Sequence, residues 1–163
     1  MKDLDERLRE IGKEMGLDGW FDVYNAQQTH FENVKYQLEL HPDPDAKRFL
    51  LRDEVNRIVT SLETALTMLF RAPIDIDLHT TFEAYNEIQD LIDSEECDNG
   101  AAAFEHLREN LIERYLEYFE LSDESDDPYE GKITFQIYIN AYGHCIGLLG
   151  LEDEVIKAVE EDD

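Results

Sequence analysis

The sequence predicts an all-α single domain of six to seven packed helices, and three observations support this fold class. Apolar residues recur at spacings of three and four over most of the 163 residues. Hydrophobic residues make up 42% and aromatic residues 10% of the chain, which is enough to build a packed core. Two cysteines, Cys97 and Cys145, do not form a disulfide framework and are typical of a reducing compartment. One domain spanning residues 1–163 is expected at this length.

A narrow apolar stripe predicts the first helix, which Gly16 would end. The stripe consists of Leu4, Leu8, Ile11 and Met15. In the favoured interpretation it docks on the core of its own chain, and in the alternative it pairs two copies in a homodimer. A second helix is predicted over residues 19–40, where large apolar residues follow at mostly helical spacing.

The third helix, residues 44–71, has the widest apolar face of the chain. The sequence His41-Pro42-Asp43-Pro44 interrupts the preceding helix. Asp43 is expected to cap the new helix, with Pro44 at its first position, where a missing N–H removes no hydrogen bond. The apolar face is formed by Leu51, Val55, Ile58, Leu62, Ala65, Leu66 and Leu69.

The middle of the chain predicts a short extended segment followed by two helices. Apolar and polar residues alternate over residues 74–79, which favours a strand. Thr80-Thr81-Phe82-Glu83 reads as a capping box, so the next helix is expected to begin there. Asp98-Asn99-Gly100 ends the following loop, and a helix is predicted over residues 101–121.

The region after residue 127 supports two interpretations. Residues 132–140 alternate as a strand would, and residues 74–78 could supply a partner for a small two-stranded β element. The start signal Asp127-Pro128-Tyr129-Glu130 favours a helix instead. We favour the helix, because one face would then be continuously apolar, formed by Ile133, Ile137, Ala141, Cys145, Leu148 and Leu149. A short helix over residues 152–160 is predicted to follow.

The net charge is −26, from 14 basic and 40 acidic residues, and it excludes several classes of function. Direct binding to nucleic acid or to an anionic membrane surface requires clustered cations. No apolar run is long enough to span a bilayer. The charged N-terminus has no apolar core of a secretory signal, so we expect a cytoplasmic protein, in the host cell if a phage encodes it.

The charge is unevenly distributed along the chain. Residues 1–71 carry a net charge of −4 and form a near-neutral half, whereas residues 72–163 carry −22. A protein adapted to high salt would be expected to acidify its whole surface. The asymmetry therefore indicates one acidic working surface.

An acidic row lies along the helix predicted over residues 101–121, on the face opposite its apolar residues. The row consists of Glu105, Glu109, Glu113, Glu117 and Glu120. Like charges four residues apart destabilise a helix, and no lysine interrupts the row, so stability does not explain it. Further acidic residues flank this helix and complete the predicted partner-binding set: Asp93, Glu95, Glu96, Asp98, Asp123, Glu124, Asp126 and Asp127.

A regular line of carboxylates can imitate DNA phosphates in front of a cationic groove. We therefore expect a non-enzymatic DNA mimic that inhibits a basic nuclease or DNA-binding protein, of the anti-CRISPR or anti-restriction type found in phages and mobile elements. The first alternative is an immunity protein or antitoxin that neutralises a basic nuclease toxin, with Tyr118 or Tyr129 as an aromatic anchor. The second is a halophilic or housekeeping scaffold protein whose acidity serves solubility.

No catalytic, cofactor-binding or metal-binding residues are predicted. Asp75, Asp77 and His79 would share one side of an extended segment, but nothing completes a nuclease or metal motif around them. Acidic neighbours should raise the pKa of Cys97, and Cys145 lies in an apolar stretch, so both cysteines are interpreted as structural.

Overall fold

The computed structural model describes residues 10, 18–68, 76–93 and 100–162. The stripe of Leu4, Leu8, Ile11 and Met15 lies outside these residues, as do Gly16 and Cys97. Three residues of the predicted partner-binding set also lie outside them: Glu95, Glu96 and Asp98.

Within the described ranges the chain is helical throughout apart from short connections, and it contains no strand. The six α-helices are α1 (Asp18–Leu40), α2 (Pro44–Met68), α3 (Ile76–Asp93), α4 (Gly100–Glu124), α5 (Phe135–Leu149) and α6 (Glu152–Asp162). A π-helical segment, Pro128–Thr134, leads into α5. The predicted all-α fold is confirmed.

The boundary between α1 and α2 follows the predicted capping chemistry. The backbone N–H of Asp45 donates a hydrogen bond to Oδ1 of Asp43 at 3.0 Å. Pro44 is the first helical residue, where its missing N–H removes no helical bond. Asp43 therefore caps α2 as expected.

The predicted start of α3 is wrong. Residues 76–78 are already helical, so the extended segment is not found there, and Thr80 lies buried inside the helix instead of capping it. The buried face of α3 is formed by residues that recur at intervals of four: Thr80, Ala84, Ile88 and Ile92. Burial of this face outweighs the local cap signal.

The start signal at Asp127-Pro128 is confirmed, and the alternative β element is not formed. The backbone N–H of Lys132 donates to the carbonyl of Asp127 at 3.3 Å, the five-residue spacing of a π-helix. This wider turn changes the helical phase before α5. Ile133, which was predicted to be on the apolar face, is 44% exposed, whereas Ala141 and Cys145 are buried. Tyr142 and Ile146 are buried as well, so the apolar face of α5 is rotated away from Ile133.

One hydrophobic core joins side chains from five helices, and partly buried residues including Val155 of α6 pack against it. Its largest fully buried side chain is Tyr142 of α5. Gly150 ends α5 with a positive φ of 66°, and the N–H of Leu151 returns to the carbonyl of Ile146 at 3.0 Å. This Schellman turn buries Leu151 and sets the start of α6 against α4.

Candidate partner-binding surface

Helix α4 separates its apolar and acidic residues onto opposite faces. Its buried residues are Ala103, Phe104, Leu107, Leu111 and Ser122. At 100° per residue, its seven carboxylates fall within a sector of about 120° on the other side. All seven are exposed, and we call them the acidic face: Glu105, Glu109, Glu113, Glu117, Glu120, Asp123 and Glu124. Asp126 and Asp127, just beyond the helix, are exposed as well.

Two members of the predicted set take part in ion pairs. Glu105 accepts a hydrogen bond from Arg108 at 2.7 Å, and the same guanidinium reaches Glu154 of α6 at 3.2 Å. Asp93 of α3 lies 3.1 Å from Nε of Arg52 on α2. These two carboxylates therefore contribute less free negative charge than their sequence positions suggested.

Most of the acidic face forms no ion pair with a described cation. Within the described part of the chain, no ion pair involves Glu109, Glu113, Glu117, Glu120, Asp123, Glu124 or Asp126. The second arginine of α4, Arg114, lies 3.5 Å from Oε1 of Glu87 on α3. Arg114 also attracts Glu117, three residues further along α4, although the two side chains form no ion pair.

The C-terminal end of α4 is stabilised by a lysine from the π-helical segment. Nζ of Lys132 donates to the backbone carbonyl of Ser122 at 3.1 Å. A cation at this end favours the helix because the last carbonyls carry the negative end of the macrodipole. The acidic residues from Asp123 to Asp127 therefore lie at a helix end whose dipole is already partly balanced by Lys132.

Glu87 connects α3, α4 and α5 through tyrosine hydroxyls. Tyr118 donates to both carboxylate oxygens at 2.8 and 2.9 Å, and Tyr142 donates to Oε1 at 2.6 Å. Burial, then these hydrogen bonds, raise the pKa of both tyrosines. Tyr118 also packs on Tyr138 with ring centroids 4.8 Å apart. Its hydroxyl is thus hydrogen-bonded within the fold, which argues against Tyr118 as an anchor for a partner. The side chain of Tyr129, the other predicted anchor, lies outside the described part of the structure.

A polar cluster that sequence reasoning missed lines a cleft of about 650 Å³. Glu54 of α2 is 7% exposed and accepts hydrogen bonds from Arg57, the shortest at 2.6 Å. Nε2 of His30 on α1 lies 2.9 Å from Oε2 of the same carboxylate. Burial alone would raise the pKa of Glu54, but the hydrogen bonds with Arg57 and His30 outweigh it and lower the pKa.

One sequence signal could have found this cluster. Glu54 shares the apolar face of α2 with Leu51 and Val55, and a charged residue on such a face requires a partner. His30 lies 24 residues away, so its pairing with Glu54 depends on how α1 packs. In this structure the cluster joins α1 to α2, and the carboxylate's hydrogen bonds are made within the chain.

His144 and Cys145 are adjacent on α5 and face the interior. His144 packs between the rings of Phe31 and Tyr85, and burial lowers its pKa. Burial raises the pKa of Cys145 to about 12, so the thiolate that a nucleophile needs is not formed near neutral pH. Its interpretation as a structural residue agrees with this environment.

Within the described ranges, no group of three or more histidine, cysteine or acidic side chains could hold a metal ion. None of the helices in the same ranges combines the length and the apolar character that crossing a membrane requires. No protein family, curated protein or solved structure matches the chain.

Proposed function

We propose that the protein is a non-enzymatic, cytoplasmic DNA mimic whose acidic face occupies the basic nucleic-acid groove of a nuclease or another DNA-binding protein. A phage or mobile element that blocks CRISPR or restriction enzymes would use such an inhibitor. The observation that carries the proposal is the exposed sector of α4, where six carboxylates from Glu109 to Glu124 form no ion pair with a described cation.

The spacing of the acidic face is comparable to that of one DNA strand. Its seven carboxylates extend from Glu105 to Glu124, so a rise of 1.5 Å per residue gives a mean spacing of roughly 5 Å between charges along the helix axis. One strand of B-DNA carries about one charge per 3.4 Å. A cationic groove shaped for a phosphate backbone would therefore meet a similar line of anions.

The acidic row weakens α4 in the absence of a partner. Each pair of like charges four residues apart costs about 0.2–0.5 kcal/mol, and among the described residues Glu109, Glu113 and Glu117 form no ion pair that would compensate it. A partner's lysines and arginines would relieve this repulsion on binding. They would also accelerate association at low salt, as electrostatic steering does.

A second candidate function, neutralisation of a basic nuclease toxin, would use the same face. Apolar residues along one edge of the face favour it, because a toxin–immunity interface combines charge with buried anchors. Such a protein has its toxin encoded in an adjacent gene. The gene neighbourhood therefore distinguishes the two candidates.

The proposal is tested by competition with duplex DNA. A labelled duplex is bound to restriction and RNA-guided nucleases in turn, and its displacement by the protein is followed by fluorescence anisotropy at increasing salt. At least one nuclease should be displaced, with an affinity that falls steeply as salt rises. The triple variant Glu109→Gln, Glu113→Gln, Glu117→Gln should compete at least about tenfold less well.

A matched control distinguishes the effect of where the carboxylates lie from the effect of the protein's net charge. The variant Glu32→Gln, Glu39→Gln, Glu63→Gln removes the same charge from exposed positions on α1 and α2 and should compete as the wild type does. Circular dichroism at low salt should show full helicity for all three proteins, whereas a halophilic scaffold would unfold. Equal competition by the two triple variants would contradict the proposal.

A further inference from the structure

A groove of about 410 Å³ lies between α4 and α6, along one edge of the acidic face. Two members of the acidic face, Glu120 and Asp123, line it. The rest of its wall is mainly apolar and comes from both helices, including Tyr115, Phe119, Val155 and Val159.

The apolar wall of the groove is open to solvent. Phe119 is 41% exposed and Val159 is 47% exposed. The ring of Phe119 packs edge-on against Tyr115, with centroids 5.1 Å apart, which holds the α4 side in place. Exposed apolar residues gathered in a concave site with a polar rim are typical of an interaction surface.

The charges around the groove define what could fill it. Glu120 and Asp123 have no ion pair among the described residues, and Arg108 is already shared by Glu105 and Glu154. A purely apolar occupant would bury these two carboxylates without partners, which is unfavourable. An occupant that carries cations beside an apolar group would pair with the two carboxylates and cover the apolar wall at the same time.

We propose that the groove binds a cationic amphipathic helix of the partner protein. An apolar side chain of that helix enters between Phe119 and Val159, and lysines or arginines on the same helix reach Glu120 and Asp123. A helix suits this groove because residues three and four apart present an apolar anchor and flanking charges on adjacent turns. The inference rests on the proposed function, since it assumes a basic partner, and it names the element that the partner presents.

The test uses two synthetic helical peptides of equal charge as probes. One carries leucines along one face with lysines on both flanks, and the other has glutamine at every leucine position. Fluorescence anisotropy should show that the leucine peptide binds about tenfold more tightly. The double variant Phe119→Ala, Val159→Ala should remove this preference, whereas Ile156→Ala, an exposed apolar residue on α6 that does not line the groove, should keep it.

The contribution of the two groove carboxylates to peptide binding is tested in the same way. Glu120→Gln with Asp123→Asn should weaken the leucine peptide about tenfold, and more than Glu109→Gln with Glu113→Gln does. Circular dichroism establishes that each variant is folded. Equal affinity for the two peptides, or equal effects of the groove variant and Ile156→Ala, would overturn the inference.

Two further outcomes identify what has failed. If Phe119→Ala, Val159→Ala displaces duplex DNA as well as the wild type does while the Glu109, Glu113, Glu117 variant does not, the groove inference is wrong and the proposed function stands. If replacing Leu4, Leu8 and Ile11 by serine raises the affinity for the leucine peptide, the chain's own N-terminal stripe occupies the groove, and the inference is overturned.

Discussion

Helices α2 and α4 have the same length of 25 residues, yet their outward faces differ in charge. Both place fully buried leucines in the shared core, Leu51 on α2 and Leu111 on α4. Helix α2 contains four basic and four acidic residues, whereas α4 contains two basic and seven acidic ones. Both helices are therefore anchored in the same core, and their excess of acidic residues differs mainly on the side that meets solvent.

The ion pairs show how each helix handles its acidic residues. On α2, Arg48 pairs with Asp45 at 3.1 Å and Arg57 pairs with Glu54 at 2.6 Å, both three residues apart. On α4, Arg108 pairs with Glu105 in the same way. The other arginine of α4, Arg114, forms its ion pair with Glu87 of α3, so the outer face of α4 keeps most of its negative charge.

The largest expected effect tests whether the two inward faces are equivalent. Leu51→Ala and Leu111→Ala should each lower the free energy of unfolding by about 2–5 kcal/mol, because both side chains are fully buried and leave cavities. Urea denaturation measures both losses. Leu121→Ala, at a position that is 38% exposed, serves as the control and should lose less than about 1 kcal/mol. A much smaller loss for Leu111 than for Leu51 would show that α4 depends less on the core.

The next effect contrasts a paired carboxylate with an unpaired one. Glu54→Gln should lower the free energy of unfolding by about 1–3 kcal/mol, because it weakens buried, charge-assisted hydrogen bonds to Arg57. Glu113→Gln on α4 should change it by no more than about 0.5 kcal/mol. Denaturation at neutral pH compares them, and equal losses would contradict the contrast.

The same carboxylate also predicts a pH dependence. The pKa of Glu54 is lowered in the folded protein, so its stabilising contribution is complete above its unfolded value of 4.5. The contribution is lost as pH falls through the lowered folded pKa. The difference in stability between the wild type and Glu54→Gln should therefore shrink below that value.

An intermediate effect concerns Cys145, which belongs to the core cluster that α2 and α4 share. Its pKa rises from 9.0 to about 12 on folding. Between these values the unfolded chain has lost the proton and the folded chain retains it, so stability falls as pH rises, by about 1 kcal/mol per pH unit. Denaturation at a series of alkaline pH values should give a shallower decline for Cys145→Ala. An unchanged slope would show that other groups control alkaline unfolding.

The smallest expected effect makes the outer face of α4 more like that of α2. Glu113→Lys replaces two repulsive contacts, with Glu109 and Glu117, by two attractive ones and should raise the free energy of unfolding by about 0.5–1 kcal/mol. Thermal unfolding at low salt measures the gain. The gain should diminish at high salt, because screening weakens exposed pairs. A loss of stability would mean that the acidic row has compensating contacts in the free protein.

Local sequence signals predicted the helices well wherever the boundary chemistry is short-range. Asp43 and Pro44 begin α2 as expected, and Asp127-Pro128 begins the final helical region. The outward orientation of Glu105 to Glu120 also followed from periodicity, because the apolar residues of a long regular helix determine which of its sides faces the core. Whether this face binds a partner remains a prediction.

Features that depend on residues far apart in the chain could not be predicted. Glu54 meets His30 across 24 residues, and Arg108 meets Glu154 across 46. The start of α3 was missed because packing of one helical face overrode a good local cap at Thr80. Ile133 is exposed because the buried face of α5 includes Tyr142, on the opposite side of the helix, and the alternating pattern of residues 132–140 did not reveal which face packs on the core.

The tyrosines around Glu87 give the protein an internal optical reporter. The hydroxyls of Tyr118 and Tyr142 donate hydrogen bonds to this carboxylate, which favours their protonated form. The pKa of the adjacent Tyr138 is raised mainly by burial. At pH values just above 10.0, the ordinary pKa of tyrosine, their phenol absorbance should remain that of the protonated form while the fold persists. On unfolding at the same pH all three would ionise together, and the ultraviolet spectrum would record the opening of α3, α4 and α5 without an added label.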